Sequence, residues 1–263
     1  MAKPLDPEHR GRFSSSLAAG LSMLACFGPE RSTRGIADMA DELGLGRSTT
    51  HRYAATLVTL GYLEQTNARK YRLAPLVSNV GLSVLDSMPA RRAAHESLRE
   101  FRDRIGRTVS LWVLSGGEAR CIDRWHGSRR GQAVVDAGIG LGTGLPAYCT
   151  AAGKALLACL PADEQWEVIT KLRLVRRGPK TIVTEGALRA ELERVRGWEG
   201  VAVEDEELLA GRRAVAAAVW AGEGAAVAVE MAVPASACTC EQLLEVAPRE
   251  TAMRIARELE AGG

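Results

Sequence analysis

The 263-residue sequence has no run approaching the roughly eighteen apolar residues a helix needs to cross a bilayer, so no membrane span is expected. Met1 to Arg12 is polar and lacks the apolar core of a secretory signal, so the chain is expected to be cytoplasmic. Histidine is scarce: His9, His51, His95 and His126 leave few general bases for catalysis. The six cysteines, Cys26, Cys121, Cys149, Cys159, Cys238 and Cys240, lack the dense spacing of a disulfide scaffold and read as reduced thiols. Cys238 and Cys240 stand one residue apart, too close for the usual zinc pair, with no histidine or second cysteine pair nearby. No metal and no cofactor are expected.

Other absences bear on enzymes. There is no G-x-S-x-G elbow. Gly153-Lys154 is followed by Ala155 and has no glycine five residues before it, so it is not a phosphate-cradling loop. Gly138, Gly140, Gly142 and Gly144 alternate in a spacing that misses the dinucleotide fingerprint and suits a flexible loop over a pocket. Cys149 or Cys121 with His126 would be the remaining nucleophile and base, but no local pattern supports the pairing. Trp112, Trp125, Trp166, Trp198 and Trp220 are of a type that more often fills cores, although Trp112 stands on a candidate strand and suits either packing or stacking.

What is present is a folded chain, 46% hydrophobic, long enough for one large or two medium domains. Its net charge of +2 conceals an asymmetry. Residues 1–80 carry ten Lys or Arg against seven acids, and residues 201–263 five against eleven. That balance permits nucleic-acid binding at one end without proving it, so motifs must decide.

A first helix is predicted over Ser14 to Phe27, with Leu17, Leu21, Leu24 and Ala25 on one face. A second follows over Arg34 to Leu43, stopped by Gly44, and a third over Arg47 to Leu60, stopped by Gly61. In the third, Thr50, Tyr53, Ala54, Leu57 and Leu60 take core spacing, leaving Arg47, Ser48, Thr49, His51, Arg52, Ala55, Thr56 and Thr59 outward. Tyr62-Leu63-Glu64 and Arg69 to Leu73 read as two short strands around a polar tip, a wing. Helix, turn, helix and basic wing in this order can set Arg47, Ser48, Thr49, His51 and Arg52 against double-stranded DNA, with Arg69, Lys70 and Arg72 on the phosphates. A protein-interaction or scaffolding module with a solvated basic face is the alternative, and salt-dependent DNA affinity separates the two.

After Pro75, the residues Val77, Val80, Gly81, Val84, Leu85 and Met88 draw an apolar stripe on a linker helix that would dock on a neighbour or a second subunit. A further helix runs from Pro89 to Ile105, closed by Gly106. Short strands are then predicted at Val109 to Leu114, Ala119 to Asp123, Gln132 to Asp136, Val201 to Glu204, Ala214 to Trp220 and Ala225 to Val233. Helices are predicted at Thr150 to Cys159, Asp163 to Leu172, Glu185 to Arg196 and Cys240 to Leu259, giving an α+β or α/β second domain.

The stretch from Gly35 to Tyr53, with Thr56-Leu57 and Leu60-Gly61-Tyr62-Leu63, resembles the DNA-binding half of IclR-type transcription regulators. Leu145-Pro146 with Thr150 to Ala158, then Thr181-Ile182, Leu188 to Leu192, Gly200 to Glu207 and Gly211, resembles the effector half of the same family in the same order. The resemblance covers roughly Phe13 to the C-terminus. It implies an α+β chain: a winged helix-turn-helix (13–74), a linker helix (75–88) and a GAF-like effector-binding domain (89–263), assembled on operator DNA as dimers or dimers of dimers.

The resemblance also implies an effector pocket formed by Leu145, Thr150, Ala151, Glu204, Ala214, Glu230 and Ala232. Many members carry an aspartate, a cysteine and two small hydroxyl residues where this chain has Glu204, Ala214, Glu230 and Ala232. Two carboxylates in a confined site would repel a small organic acid and favour a cationic or polyhydroxyl ligand. Otherwise Glu230 pairs with an arginine such as Arg213 or points to solvent. The function this implies is a DNA-binding regulator, not an enzyme, whose operator affinity a small molecule modulates.

Overall fold

The computed structural model describes residues 13–28, 31–128, 135, 138–220 and 226–261. Two units meet at Ser83/Val84. The first holds α1 (Ser15–Ala25), α2 (Ile36–Leu43), α3 (Arg47–Thr59), a hairpin of β1 (Leu63–Gln65) and β2 (Tyr71–Leu73), and the start of α4 (Leu76–Ser87). Ser14 caps α1 by accepting the Leu17 amide. Gly44, at φ 65°, makes the left-handed exit from α2 that leads into α3. Met23, Cys26, Met39, Ala54, Leu63 and Tyr71 form the core.

Two expectations change here, and a third reading is completed. Leu17 and Leu21, on the apolar face predicted for α1, are 65% and 60% exposed, and Leu60, given core spacing in α3, is 57% exposed. The buried residues of that segment are Met23 and Cys26. Helix α2 starts two residues later than predicted because the Arg34 backbone is taken up by a bridge to Tyr71, at 2.9 and 2.7 Å. That bridge ties the wing to the helix pair, and the buried Arg34 side chain reinforces it by donating to Glu42 at 2.7 Å.

The second unit contains α5 (Pro89–Ile105), β3 (Thr108–Ser115), β4 (Glu118–Trp125), β5 (Gly144–Pro146), α6 (Ala151–Cys159), α7 (Ala162–Lys171), α8 (Glu185–Gly197), β6 (Val201–Asp205), β7 (Arg212–Trp220), β8 (Ala226–Pro234), α9 (Cys240–Glu245) and α10 (Arg249–Ala261). The strands form one antiparallel sheet in the order β5-β4-β3-β8-β7-β6. Period-two alternation sorts the side chains. Trp112, Cys121, Ala202, Ala214, Ala216, Ala228 and Ala232 join the core under α6 and α8, while Val109, Leu111, Val215, Val229, Met231 and Val233 join the core with α5 and α10. The alanine-rich face lets α6, itself built of small residues at its start, lie close to the sheet.

The short edge strand β5 escapes sequence reading because a Gly-Leu-Pro segment carries no strand pattern; it pairs with β4 from Glu118↔Pro146 to Arg120↔Gly144. The single helix predicted at the C-terminus is two, since Pro248 offers no amide to continue α9 and suits the entry to α10. The strand expected at Gln132 to Asp136 lies, apart from Val135, outside the described residues. The architecture is α+β, a winged helix-turn-helix and linker helix followed by a GAF-like domain.

Candidate functional site

Helix α3 presents its N-terminal turn outward. Arg47, Ser48, His51 and Arg52 are exposed and Thr49 is half-buried, while Thr50 and Ala54 face the core. Thr50 is held by donating its hydroxyl to the Gly46 carbonyl at 3.1 Å. The N-cap is Gly46, which has no side chain to cover the first amides, so those donors are open to a phosphate oxygen. Arg52 lies over the Tyr53 ring, 5.8 Å from its centroid, at the edge of a groove between α1, α3 and α4.

On the wing, Arg69 and Lys70 are exposed at the tip, where Arg69 takes a left-handed φ of 56°. Arg72 is also exposed but is engaged across the hairpin with Glu64 at 2.7 Å. The groove itself, about 630 Å³, is walled by Leu17, Leu21, Leu57, Leu60, Val77 and Val80. Thus the N-terminal half of the linker stripe borders exposed apolar surface, while Leu85 and Met88 pack on the second unit's own core.

In the second unit the pocket residues predicted from sequence converge on the start of α6. Thr150 caps the helix: its hydroxyl accepts from the Gly153 amide at 3.2 Å and donates to the Pro146 carbonyl at 3.2 Å. Gly153 is required, because a Cβ there would lie 2.3 Å from the Ala147 backbone. Ala151 is buried beside Thr150, and Leu145 is half-buried on β5 against the same core. Glu204, Ala214 and Ala232 stand in one row across β6, β7 and β8, and Glu230 lies in the next row opposite Ala216.

The decisive feature was not visible in the pattern. Arg212, buried to 1% exposure, reaches between the two glutamates. Its Nη1 donates to Glu204 and its Nη2 to Glu230 at 2.6 Å. Glu230 therefore pairs with Arg212 and not with Arg213, which points to the other face of the strand, where it binds Asp205 and the carbonyls of Ala235 and Cys238. The second oxygen of Glu230 accepts the Ala152 amide in the first turn of α6 at 3.0 Å. Glu204 accepts the Glu207 and Leu208 amides at 3.0 and 3.2 Å. Sequence reasoning missed Arg212 because a charged residue at the start of a strand reads as solvated; its proximity to two glutamates on adjacent strands is a tertiary fact.

A second buried ionic centre supports the first. Lys154 Nζ donates to Glu191 at 2.9 Å, to Glu207 and to the Val203 carbonyl at 2.6 Å, binding α6 to α8 and to β6. The cysteines nearby are poorly suited to nucleophilic work. Cys121 and Cys149 are fully buried, and burial pushes both thiols up to about 12. Among the described residues Trp112 Nε1 and Arg212 Nε are buried polar atoms without a hydrogen-bond partner, and Trp112 lies on the same sheet face as Glu230.

Residues 16–67 match the IclR helix-turn-helix domain, and residues 82–258 match the C-terminal domain of bacterial transcriptional regulators of the IclR type. The chain belongs to the IclR family. Among its relatives is the HTH-type transcriptional regulator Rv1719 of Mycobacterium tuberculosis, 35% identical over 76% of this chain and 74% of that protein. A solved structure from Rhodococcus sp. RHA1, assigned as a transcriptional regulator, is 32% identical, covers 95% of this chain and 100% of that one, and superposes with a TM-score of 0.78. An IclR homologue from Microbacterium hydrocarbonoxydans, solved in complex with 4-hydroxybenzoate, shares the fold at 24% identity and a TM-score of 0.76, covering 94% of this chain and 100% of that one.

This IclR-type chain is accordingly a DNA-binding transcription regulator with a helix-turn-helix domain and an effector-binding C-terminal domain. Its relatives are regulators rather than enzymes. Among the described residues no helix is long and apolar enough to cross a membrane.

Proposed function

We propose that Arg47, Ser48, Thr49, His51 and Arg52 enter the major groove of operator DNA, while Arg69, Lys70 and Arg72 hold the flanking phosphates. The observation that carries this assignment is the start of α3, where uncapped amides, two arginines and hydroxyl side chains share one exposed turn. The regulator works in the cytoplasm, has no catalytic activity of its own, and divides functionally into 13–74, 75–88 and 89–263. Its effector pocket is the space between the start of α6 and the sheet, bordered by Leu145, Thr150, Ala151, Glu204, Ala214, Glu230 and Ala232. The binding of a small aromatic acid by the Microbacterium homologue supports a small-molecule effector in this fold.

The active form is a homo-oligomer, a dimer or a dimer of dimers, in which the apolar groove of the first unit receives a second copy. Effector and DNA then act through linkage: the effector changes operator affinity only by its differential affinity for the DNA-competent state, typically about 1 to 3 kcal/mol. Fluorescence anisotropy on operator fragments across a salt series tests the DNA assignment. Arg47→Ala or Arg52→Ala should weaken binding by about 1 to 3 kcal/mol if the residue reads a base. Unchanged affinity in the double variant would place the DNA on another surface.

A further inference from the structure

A carboxylate entering this site would look for a guanidinium and a free backbone amide, the pair of donors that matches its two oxygens. Both donors exist here, Arg212 Nη2 and the Ala152 N–H at the start of α6, and both are already bonded to the two oxygens of one side chain, Glu230. The arrangement is shut off from solvent. Glu230 is 2% exposed and Arg212 1%, and the other arm of the guanidinium is held by Glu204, itself fixed by two backbone amides. The Thr150 hydroxyl accepts the next amide of the turn, that of Gly153.

We propose that Glu230 is a tethered internal anion: it occupies the carboxylate position between Arg212 and the first turn of α6, and so excludes organic acids from this regulator's pocket. Glu230 is thereby the residue that determines ligand class, and the effector taken by this chain carries no free carboxylate. An uncharged ligand with an acceptor atom suits the donors that remain among the described residues, the Trp112 indole and Arg212 Nε, on a face that also carries alanine at 214, 216, 228 and 232. This inference rests on the assignment of the effector pocket made above. It differs from simple repulsion by two carboxylates, because Arg212 supplies the compensating cation and would welcome an acid if Glu230 were absent.

The test is to open the position and offer the missing group from solution. Wild type, Glu230→Ala and Glu230→Ser are titrated with sodium acetate and with 4-hydroxybenzoate, against sodium chloride at equal ionic strength, by thermal unfolding and calorimetry without DNA. Both variants should lose thermal stability, recover part of it in acetate, and bind acetate saturably at least roughly tenfold tighter than wild type, which should respond to acetate as it does to chloride. Binding of either acid by wild type as tightly as by the variants overturns the proposal, as does a folded variant that ignores acetate. If neither variant folds in chloride, folding restored by acetate supports the proposal and its absence overturns it. Failure of the pocket assignment shows separately, as an acetate-binding variant whose operator affinity does not move when acetate binds.

Discussion

One guanidinium cannot neutralise two carboxylates, and in the Arg212 cluster the shortfall falls on Glu204. Burial pushes its carboxyl up to about 7, against the pull of Arg212 and the Leu208 amide. An unfolded glutamate titrates near 4.5, so between about pH 4.5 and 7 the folded state holds more protons than the unfolded one. The contribution of this group to stability therefore falls as pH rises through that window. Denaturant unfolding at pH 5 and pH 7.5 should show this loss in wild type, and Glu204→Gln should flatten it. A variant with the same pH slope as wild type would assign the titration elsewhere. Lys154 is the contrasting case, because its single charge meets two glutamates and a carbonyl that tie three elements together rather than border the proposed effector pocket.

At the scale of elements, the wing combines two kinds of basic residue that the sequence presents as equals. Lys70 projects freely from the tip, whereas Arg72 must leave Glu64 before it can touch a phosphate. Lys70→Ala should weaken DNA binding evenly across sequences and lower the log-log salt slope by about 0.9, while Arg72→Ala should change it less. Equal slopes for the two variants would contradict the pairing seen here. Helix order, the wing and the strand alternation were legible in sequence because each follows from local periodicity and from stops such as Gly44, Gly61 and Gly106. Less legible was what depends on contacts between distant segments. The Arg34 bridge shortened α2, the exposed leucines of α1 carry the same spacing as a core face, and Arg212 gave no periodic sign of burial. On the sheet, the partner of Glu230 was one residue away from the arginine sequence suggested, and one residue reverses the face of a strand.

For the whole molecule, the groove of α1, α3 and α4 is where the proposed self-association would be seated. Leu17, Leu21, Leu60 and Val80 are exposed together on one side of the first unit, where a second copy would cover them. Leu21→Glu or Val80→Glu, placing a charge in this groove, should weaken self-association at least about tenfold by analytical ultracentrifugation, and operator affinity should fall with it. An oligomer untouched by both substitutions would give the groove another occupant.

The close approach at Gly153 has a consequence for anyone who would turn this regulator into a biosensor. With the Ala147 backbone 2.3 Å from where a Cβ would be, the first turn of α6, the helical wall of the proposed pocket, has no room for added atoms at position 153. The strands opposite carry alanine at 214, 216, 228 and 232, all buried beneath α6, where a larger side chain would press on the helix. A library aimed at the proposed pocket should therefore keep Gly153 and offset each enlargement on the sheet by a smaller residue facing it.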